Sequence, residues 1–356
     1  AQVYGGISRY FFELISRFSD HHEIELDLYL GYFVNQYGLE KYQDKCVSYF
    51  GKKHDPIPKT ARIFSLINSA KLSSFGKKLN PDIYHPTYYE EHLKHMNTQR
   101  VLTVYDMIHE KLPEYFSTSD KTRYVKQKVI ESADGIIAIS ESTKRDLIEI
   151  LHVPEEKIEV IYLANSLSKR RDNISKQIDF PFILYVGPRN GYKNFKLLLE
   201  TFSRSVNIKN NFKLISFGGG AFTKEEVSLI RKLKLDDKVI QLSGNDDLLA
   251  DLYMQATAFV YPSLYEGFGI PPLEAMHYGC PVIASNSSSI PEVVGNAGLL
   301  FDPTSSDELL VNLDNTLNDA ELRKTLVDLG YQRESEFSWG KCAQETFNYY
   351  KSLMAN

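Results

Sequence analysis

Leu264–Glu274 reads Leu-Tyr-Glu-Gly-Phe-Gly-Ile-Pro-Pro-Leu-Glu, a segment whose residue types suit the binding of an anionic or hydroxyl-rich ligand. A short apolar run, Ala258–Tyr261, enters it through Pro262, and a helical stretch through Met276 leaves it. Pro271 and Pro272 suit a first helical turn, where the missing N–H has no partner to lose. Gly267 and Gly269 allow a ligand close to the backbone. The free amides of such a helix start bind anions or hydroxyls. Glu266 stands before the glycines and Glu274 one turn into the helix. Two glutamates at that spacing signify little. The order of strand, glycine loop, proline and helix around them carries the signal.

A second segment, Tyr185–Asn194, follows an apolar run and leads into a helix, with Gly187, Arg189 and Lys193 in the turn. Ligands of open parallel sheets bind beyond the carboxyl ends of the strands, where such a turn lies. Arg offers a planar fork and Lys a point charge, and both suit a diphosphate. Phe217-Gly218-Gly219-Gly220 is a third turn of this kind. Gly5-Gly6 opens a helix with only four residues before it, too few for the strand that normally precedes such a turn. Glu90, Glu91, His92 and His95 could suggest a metal site, but two histidines three apart on a polar stretch are read as surface.

The elements that must hold these turns alternate strand and helix, the rhythm of a parallel α/β fold. In the first half, Ile24–Leu30, Asp82–His85, Val101–Tyr105 and Gly135–Ile139 read as strands. Gly6–Phe18, Arg62–Leu79, Ser119–Ser132 and Ser142–Leu151 read as helices. The polar segment Asn165–Asp179 lacks an apolar face and reads as a linker. A second series follows, with strands at Phe182–Val186, Phe212–Phe217, Lys238–Leu242, Ala258–Tyr261 and Pro281–Ala284. Two or three helices close the chain after Asp307. The serine patch Ser285–Ser289 is read as too short to matter. Two domains are expected, 1–168 and 169–340, followed by a terminal segment, 341–356.

Composition narrows the function classes. The 356 residues are 43% hydrophobic and 24% charged, an ordinary globular balance, and the net charge of −5 argues against a nucleic-acid partner. No apolar run approaches the ~18 residues of a membrane span, and no signal peptide is visible. Cys46, Cys280 and Cys342 form neither a disulfide framework nor a zinc knuckle, so the cytoplasm is the expected compartment. A dehydrogenase would need Gly-x-Gly-x-x-Gly after a strand, and neither Gly187 nor Gly218 opens that spacing. No Asp-x-Asp occurs, so a paired-carboxylate manganese site has no candidate. From Lys41 to Leu79 there are nine basic residues and two acids, with Ile63, Phe64, Leu66, Ile67, Leu72, Phe75 and Leu79 at near-helical spacing. A basic amphipathic helix of this kind either lies on an anionic membrane or turns its apolar face to the core.

Arg189 and Lys193, Glu266 with Glu274, Gly279–Ala284 and Ile290-Pro-Glu292 together resemble family 4 of the retaining glycosyltransferases. The opening Gly5–Tyr10 and the stretch Thr103–Glu110 are similar to its bacterial mannosyltransferase-type subgroup. The resemblance implies a GT-B fold, two Rossmann-like domains with parallel sheets facing across a cleft, the last helix crossing back onto the first domain. It implies that Arg189 and Lys193 hold the donor diphosphate and that Glu274 accepts from the ribose hydroxyls. Glu266 and the amides of Phe268, Gly269 and Ile270 would surround the donor sugar, near Gly187, Gly218 and Gly267, and Gly5 and Gly6 would close over the phosphates. Many relatives carry His-Asp where this chain has Tyr105-Asp106, so the usual histidine is absent or its role moves to His109. The implied donor is a nucleotide diphosphate sugar, GDP-mannose first and a UDP-hexose second. The implied acceptor is a glycan or lipid-linked hydroxyl, no metal cofactor is expected, and the contact that the basic helix would make with an anionic membrane is expected to be peripheral. A sugar-nucleotide-binding subunit without catalysis is the alternative.

Overall fold

The computed structural model describes residues 6–34, 37–55, 61–76, 79, 81–89, 98–165, 167 and 177–355. In the first half these form α1 (Gly6–Phe18), β1 (Asp27–Phe33), β2 (Ser48–Lys53), α2 (Ala61–Gly76), β3 (Ile83–Tyr84) and β4 (Gln99–Val104). There follow α3 (Ile108–Lys111), α4 (Thr122–Glu131), β5 (Gly135–Ala138), α5 (Glu141–Leu151) and β6 (Ile158–Val160). β3-β4-β5-β6 form one parallel sheet, and β1 pairs with β2 in a separate parallel pair.

The second half runs β7 (Phe182–Val186), α6 (Phe195–Arg204), α7 (Val206–Asn211), β8 (Lys213–Phe217), α8 (Lys224–Lys232), β9 (Val239–Leu242) and α9 (Asp246–Gln255). It continues with β10 (Ala258–Tyr261), α10 (Ile270–His277), β11 (Val282–Ser285), α11 (Ile290–Val294) and β12 (Gly298–Phe301). Three helices close it: α12 (Ser306–Asn318), α13 (Ala320–Glu334) and α14 (Trp339–Met354). Its sheet has the order β12-β11-β10-β7-β8-β9, parallel throughout. Every residue of β5, β10 and β11 is buried, as expected of parallel strands covered on both faces.

Several strand boundaries differ from the sequence reading. β1 begins at Asp27 rather than Ile24, because Ile24 closes a turn onto the His21 carbonyl and Asp27 is the first residue paired with β2. β2 itself was not anticipated, since Ser-Tyr-Phe-Gly-Lys-Lys is half-exposed and alternates weakly. β6, of three residues, and β12 are partly exposed and do not stand out by pattern. Of the expected linker, residues 166 and 168–176 lie outside the described residues.

α14 returns to the first half. Tyr349 Oη donates to the Lys157 carbonyl at 2.7 Å and accepts from Ile136 N at 3.0 Å. Tyr350 Oη lies 2.5 Å from His85 Nδ1, and Thr103 Oγ1 lies 2.8 Å from His85 Nε2. Burial pushes the His85 pKa down to about 3, so the ring is neutral. One apolar core, with Tyr10, Phe259 and Trp339 among its members, runs through both halves.

Candidate active site

The strand order reverses between β7 and β10, and the crevice at such a switch point is where open parallel sheets bind ligands. The turns that leave these two strands are the two segments singled out above. Leu264 N donates to the Tyr192 carbonyl at 2.8 Å. Asn194, left-handed at φ 58°, donates through Nδ2 to the carbonyls of Pro262 and Pro303. Lys193 Nζ donates to both carboxylate oxygens of Glu266, at 2.7 and 2.9 Å. Burial disfavours charge on Lys193, but the charges of Glu266, Tyr192 and Asp106 together outweigh it, so the lysine pKa is raised.

The serines set aside as a short patch hold this loop. Ser285, Ser287 and Ser289 donate to the carbonyls of Ser263, Leu264, Glu266 and Phe268 at 2.5–2.9 Å. Ser288 Oγ accepts from Glu266 N at 2.8 Å. The backbone around Glu266 is thereby satisfied by side chains of the next strand's turn. A serine at four of five positions after a buried strand was the available signal, and only pairing with a distant loop gives it meaning. The Phe268 ring is buried against Tyr162 and Phe337, which leaves its backbone amide, not its ring, to serve the site. Gly269, at φ 128°, starts α10 in a conformation open to glycine.

The first half meets the loop directly. A Cβ on Gly267 would lie 1.7 Å from the Tyr105 carbonyl oxygen and 3.0 Å from Asp106 Cβ, so only glycine fits. The Asp106 charge reinforces that of Lys193. Asp106 Oδ1 accepts from Ile108 N at 3.1 Å. Beneath it the fully buried Lys126 donates to the Asp106 carbonyl at 2.9 Å and to Glu110 at 2.6 Å. Tyr105 is buried, its hydroxyl donating to the Thr87 carbonyl. His109 stacks on Phe116, 4.0 Å between centroids, with Nε2 3.6 Å from Asp120 and a buried Nδ1 that has no hydrogen-bond partner among the described residues. Phe116 in turn stacks on Tyr192 of the second half.

Arg189 is placed differently from an open anion fork. It donates from Nε to Glu226 at 2.8 Å, from Nη1 to the Gly218 carbonyl at 2.9 Å and from Nη2 to the carbonyls of Gly220 and Ala221 at 3.0 and 3.1 Å. It therefore braces the glycine turn after β8, where Gly218, Gly219 and Gly220 all have positive φ. A Cβ on Gly219 would meet the guanidinium at 2.7 Å. Gly187, at φ 121°, lies against Gly218 in the same crevice.

Glu274, on α10, accepts from Tyr253 Oη at 3.1 Å. Burial pushes its carboxyl up to about 7, against the opposing influences of Tyr253 and Arg9. Arg9 comes from α1 and pairs with Asp246 of α9 at 3.1 Å, which brings the start of α1 over the Glu274 end of the crevice. Gly6 is the exposed first residue of α1; Gly5 lies outside the described residues. Glu90, Glu91, His92 and His95 also lie outside them. Among the described residues no three His, Cys, Asp or Glu side chains gather as metal ligands.

Residues 4–165 match the model of Glycosyltransferase Family 4, and residues 168–333 that of Glycosyl transferases group 1. The chain is 30% identical over 372 residues to the O-antigen chain mannosyltransferase B of Escherichia coli, covering 98% of this chain and 96% of that one. It is 28% identical over 222 residues to the N-acetylgalactosamine-N,N'-diacetylbacillosaminyl-diphospho-undecaprenol 4-alpha-N-acetylgalactosaminyltransferase of Campylobacter jejuni, covering 61% of this chain and 60% of that one. The Anabaena HepE crystal structure in complex with UDP and glucose superposes with a TM-score of 0.74 at 17% identity, covering 98% of this chain and 96% of HepE. The two parallel sheets meeting at this crevice are the GT-B fold, and the chain belongs to the family 4, group 1 glycosyltransferases.

Proposed function

We propose that the protein moves mannose from GDP-mannose to a hydroxyl of a glycan or lipid-linked acceptor, with retention at the anomeric carbon and without a metal. The observation that carries this reading is the Lys193–Glu266 pair at the switch point, with Asp106 of the first half beside it. An incoming diphosphate takes over Lys193 as its counter-charge. Glu266 is then released to accept from sugar hydroxyls, while the α10 amides face the same ligand. Arg189 contributes its positive charge from behind the glycine turn. Glu274 accepts from the ribose. The departing phosphate oxygen takes the acceptor's proton on the face it leaves, which retains configuration.

Similarity to an O-antigen mannosyltransferase along nearly the whole chain supports mannose. Likeness to an enzyme named for a diphospho-undecaprenol substrate supports a lipid-linked acceptor. The test is incubation of the purified protein with EDTA, GDP-mannose or UDP-glucose, and a mannosyl-diphospho-lipid acceptor. GDP-mannose should be consumed. Turnover of UDP-glucose alone would shift the reading to a UDP-hexose enzyme, and binding without turnover would shift it to a non-catalytic subunit.

Access to such an acceptor from the cytoplasmic side fits the surface of α2. Its Asn68 docks it on β1, accepting from Tyr32 N at 2.8 Å and donating to Tyr32 O at 3.1 Å. Ile63, Leu66 and Ile67 share the other face and are 57%, 73% and 37% exposed, so this face is not turned to the core. Lys71 is exposed on the same helix, lying over the rings of Tyr32 and Phe50. Among the described residues no helix is long and apolar enough to cross a membrane. The proposed contact is peripheral. Each basic residue near an anionic surface contributes about 1 kcal/mol. Vesicles containing anionic lipid should co-sediment the protein at low salt and release it at high salt. Leu66→Glu with Lys71→Glu should abolish that binding; unchanged co-sedimentation would assign the face to another role.

A further inference from the structure

We propose that Tyr265 is a positioning residue that pins the Glu266 loop to the first half and so keeps Glu266 and Lys193 in register with Asp106. The inference rests on the donor-site reading of Glu266. Tyr265 belongs by sequence to the turn after β10, yet its ring is 4% exposed and packs in an apolar cluster of the first half with Leu102, Met107, Ile136 and Leu147. Its hydroxyl donates to Asp146 Oδ2 at 2.7 Å and accepts from Met107 N at 3.2 Å. Burial and Asp146 both push its pKa far up, so the proton stays in place to be donated. Asp146 is itself buried on α5, with Lys111 Nζ 2.9 Å from its other oxygen.

The geometry is a latch with Glu266 between its two ends. On one side Tyr265 enters the first half. On the other, Gly267 rests on the Tyr105 carbonyl and accepts from Thr143 Oγ1 at 3.4 Å. A second carboxylate acts along the same seam in the opposite direction. Glu292, from the second half, accepts from Glu141 N and Ser142 N at 2.9 Å each, at the start of α5, and from Tyr162 Oη at 3.2 Å. Opening the crevice must pull Tyr265 from its cluster and strip the buried Asp146 of a donor, which is costly for a desolvated carboxylate. Closing it sets Glu266 beside Asp106 in the same movement. The nucleoside diphosphate lies on the second half and does not need this register. The sugar, held between Glu266 and Asp106, does.

The test compares Tyr265→Phe, Asp146→Asn, Asp146→Ala and the Tyr265→Phe/Asp146→Ala double variant. Each is assayed with the donor that turns over in the incubation above and with its own nucleoside diphosphate, GDP-mannose and GDP on the present reading. Tyr265→Phe should lose about tenfold in kcat, the scale of one hydrogen bond to a charged group, with GDP affinity within about twofold of wild type. Asp146→Asn keeps an acceptor oxygen and should retain most of the rate. Asp146→Ala should match Tyr265→Phe, and the double variant should be no slower than either. A wild-type rate for Tyr265→Phe overturns the latch. So does a loss of GDP affinity in step with kcat, which marks a general folding defect, or failure of Asp146→Asn to rescue. Glu266→Gln separates the two readings: full activity there removes the donor-site assignment and the latch together. An impaired Glu266→Gln beside an unaffected Tyr265→Phe removes the latch alone.

Discussion

Replacing Lys193 with alanine is expected to lower kcat by about 10²–10³, the cost of losing a donor aimed at charge that grows in the transition state. Lys193 stands in the turn after β7, at the switch point, and its raised pKa keeps it charged over the physiological range. The substitution also leaves Glu266 part-buried without its counter-charge. Arg189→Ala should cost a similar factor by a different route. Its guanidinium holds the carbonyls of the glycine turn, so donor KM should rise together with the loss of kcat. Arg189→Lys should recover charge without the fork and restore only part of the rate. EDTA should leave the wild-type rate unchanged, since the proposed neutralisation uses these cations and the start of α10. Steady-state kinetics on the three variants checks this. A loss of less than about threefold for Lys193→Ala, or strict dependence on a divalent ion, would contradict the neutralisation scheme.

Glu274→Ala should weaken donor binding by about 1.5–3 kcal/mol, the worth of hydrogen bonds to a charged group, with the effect mainly in donor KM. The pH dependence follows from the carboxyl being pushed up to about 7. Above that pH the carboxylate accepts both ribose protons. As pH falls through about 7 it protonates, loses acceptor capacity and donor KM rises. Glu274→Gln should flatten that profile. The linkage sign for stability is opposite. A carboxyl whose folded pKa lies above its ordinary value of 4.5 is stabilising when protonated, so the fold loses stability as pH rises from about 4.5 to about 7. Glu274→Gln should therefore be no less stable than wild type at pH 8. A flat wild-type KM profile between pH 6 and 8 would sink the ribose assignment.

Much of this site was legible because its parts are local. The turn after a strand, Gly269 and the prolines at the start of α10 each declare their backbone role locally, whereas Gly267, read as a place for a ligand to approach, is instead required by the Tyr105 carbonyl of the first half. α1 ends where it was read, at Phe18, since Tyr10, Phe11, Leu14, Ile15 and Phe18 share one buried face. What the sequence withheld depends on distance along the chain. Ser285–Ser289 looks like a low-complexity patch until its partners, twenty-odd residues earlier, are in place. Tyr265 looks like one more aromatic until Asp146, 119 residues away, meets its hydroxyl. Arg189 was expected to face ligand and instead spends its donors on the glycine turn, because those carbonyls converge on it only once β7 and β8 are paired. β2 escaped notice for a related reason: a half-exposed strand acquires its identity from β1, its partner.

The most direct measurement is proton NMR of the product formed by the purified protein from GDP-α-mannose and a mannosyl-diphospho-lipid acceptor in the presence of EDTA. It reads donor choice, metal requirement and stereochemistry in one spectrum. A new α-linked mannose signal, growing as GDP is released and slowed about 10²–10³-fold with Lys193→Ala, is the predicted result. A β-linked product, or no product from GDP-mannose while a UDP-hexose is consumed, would contradict the account.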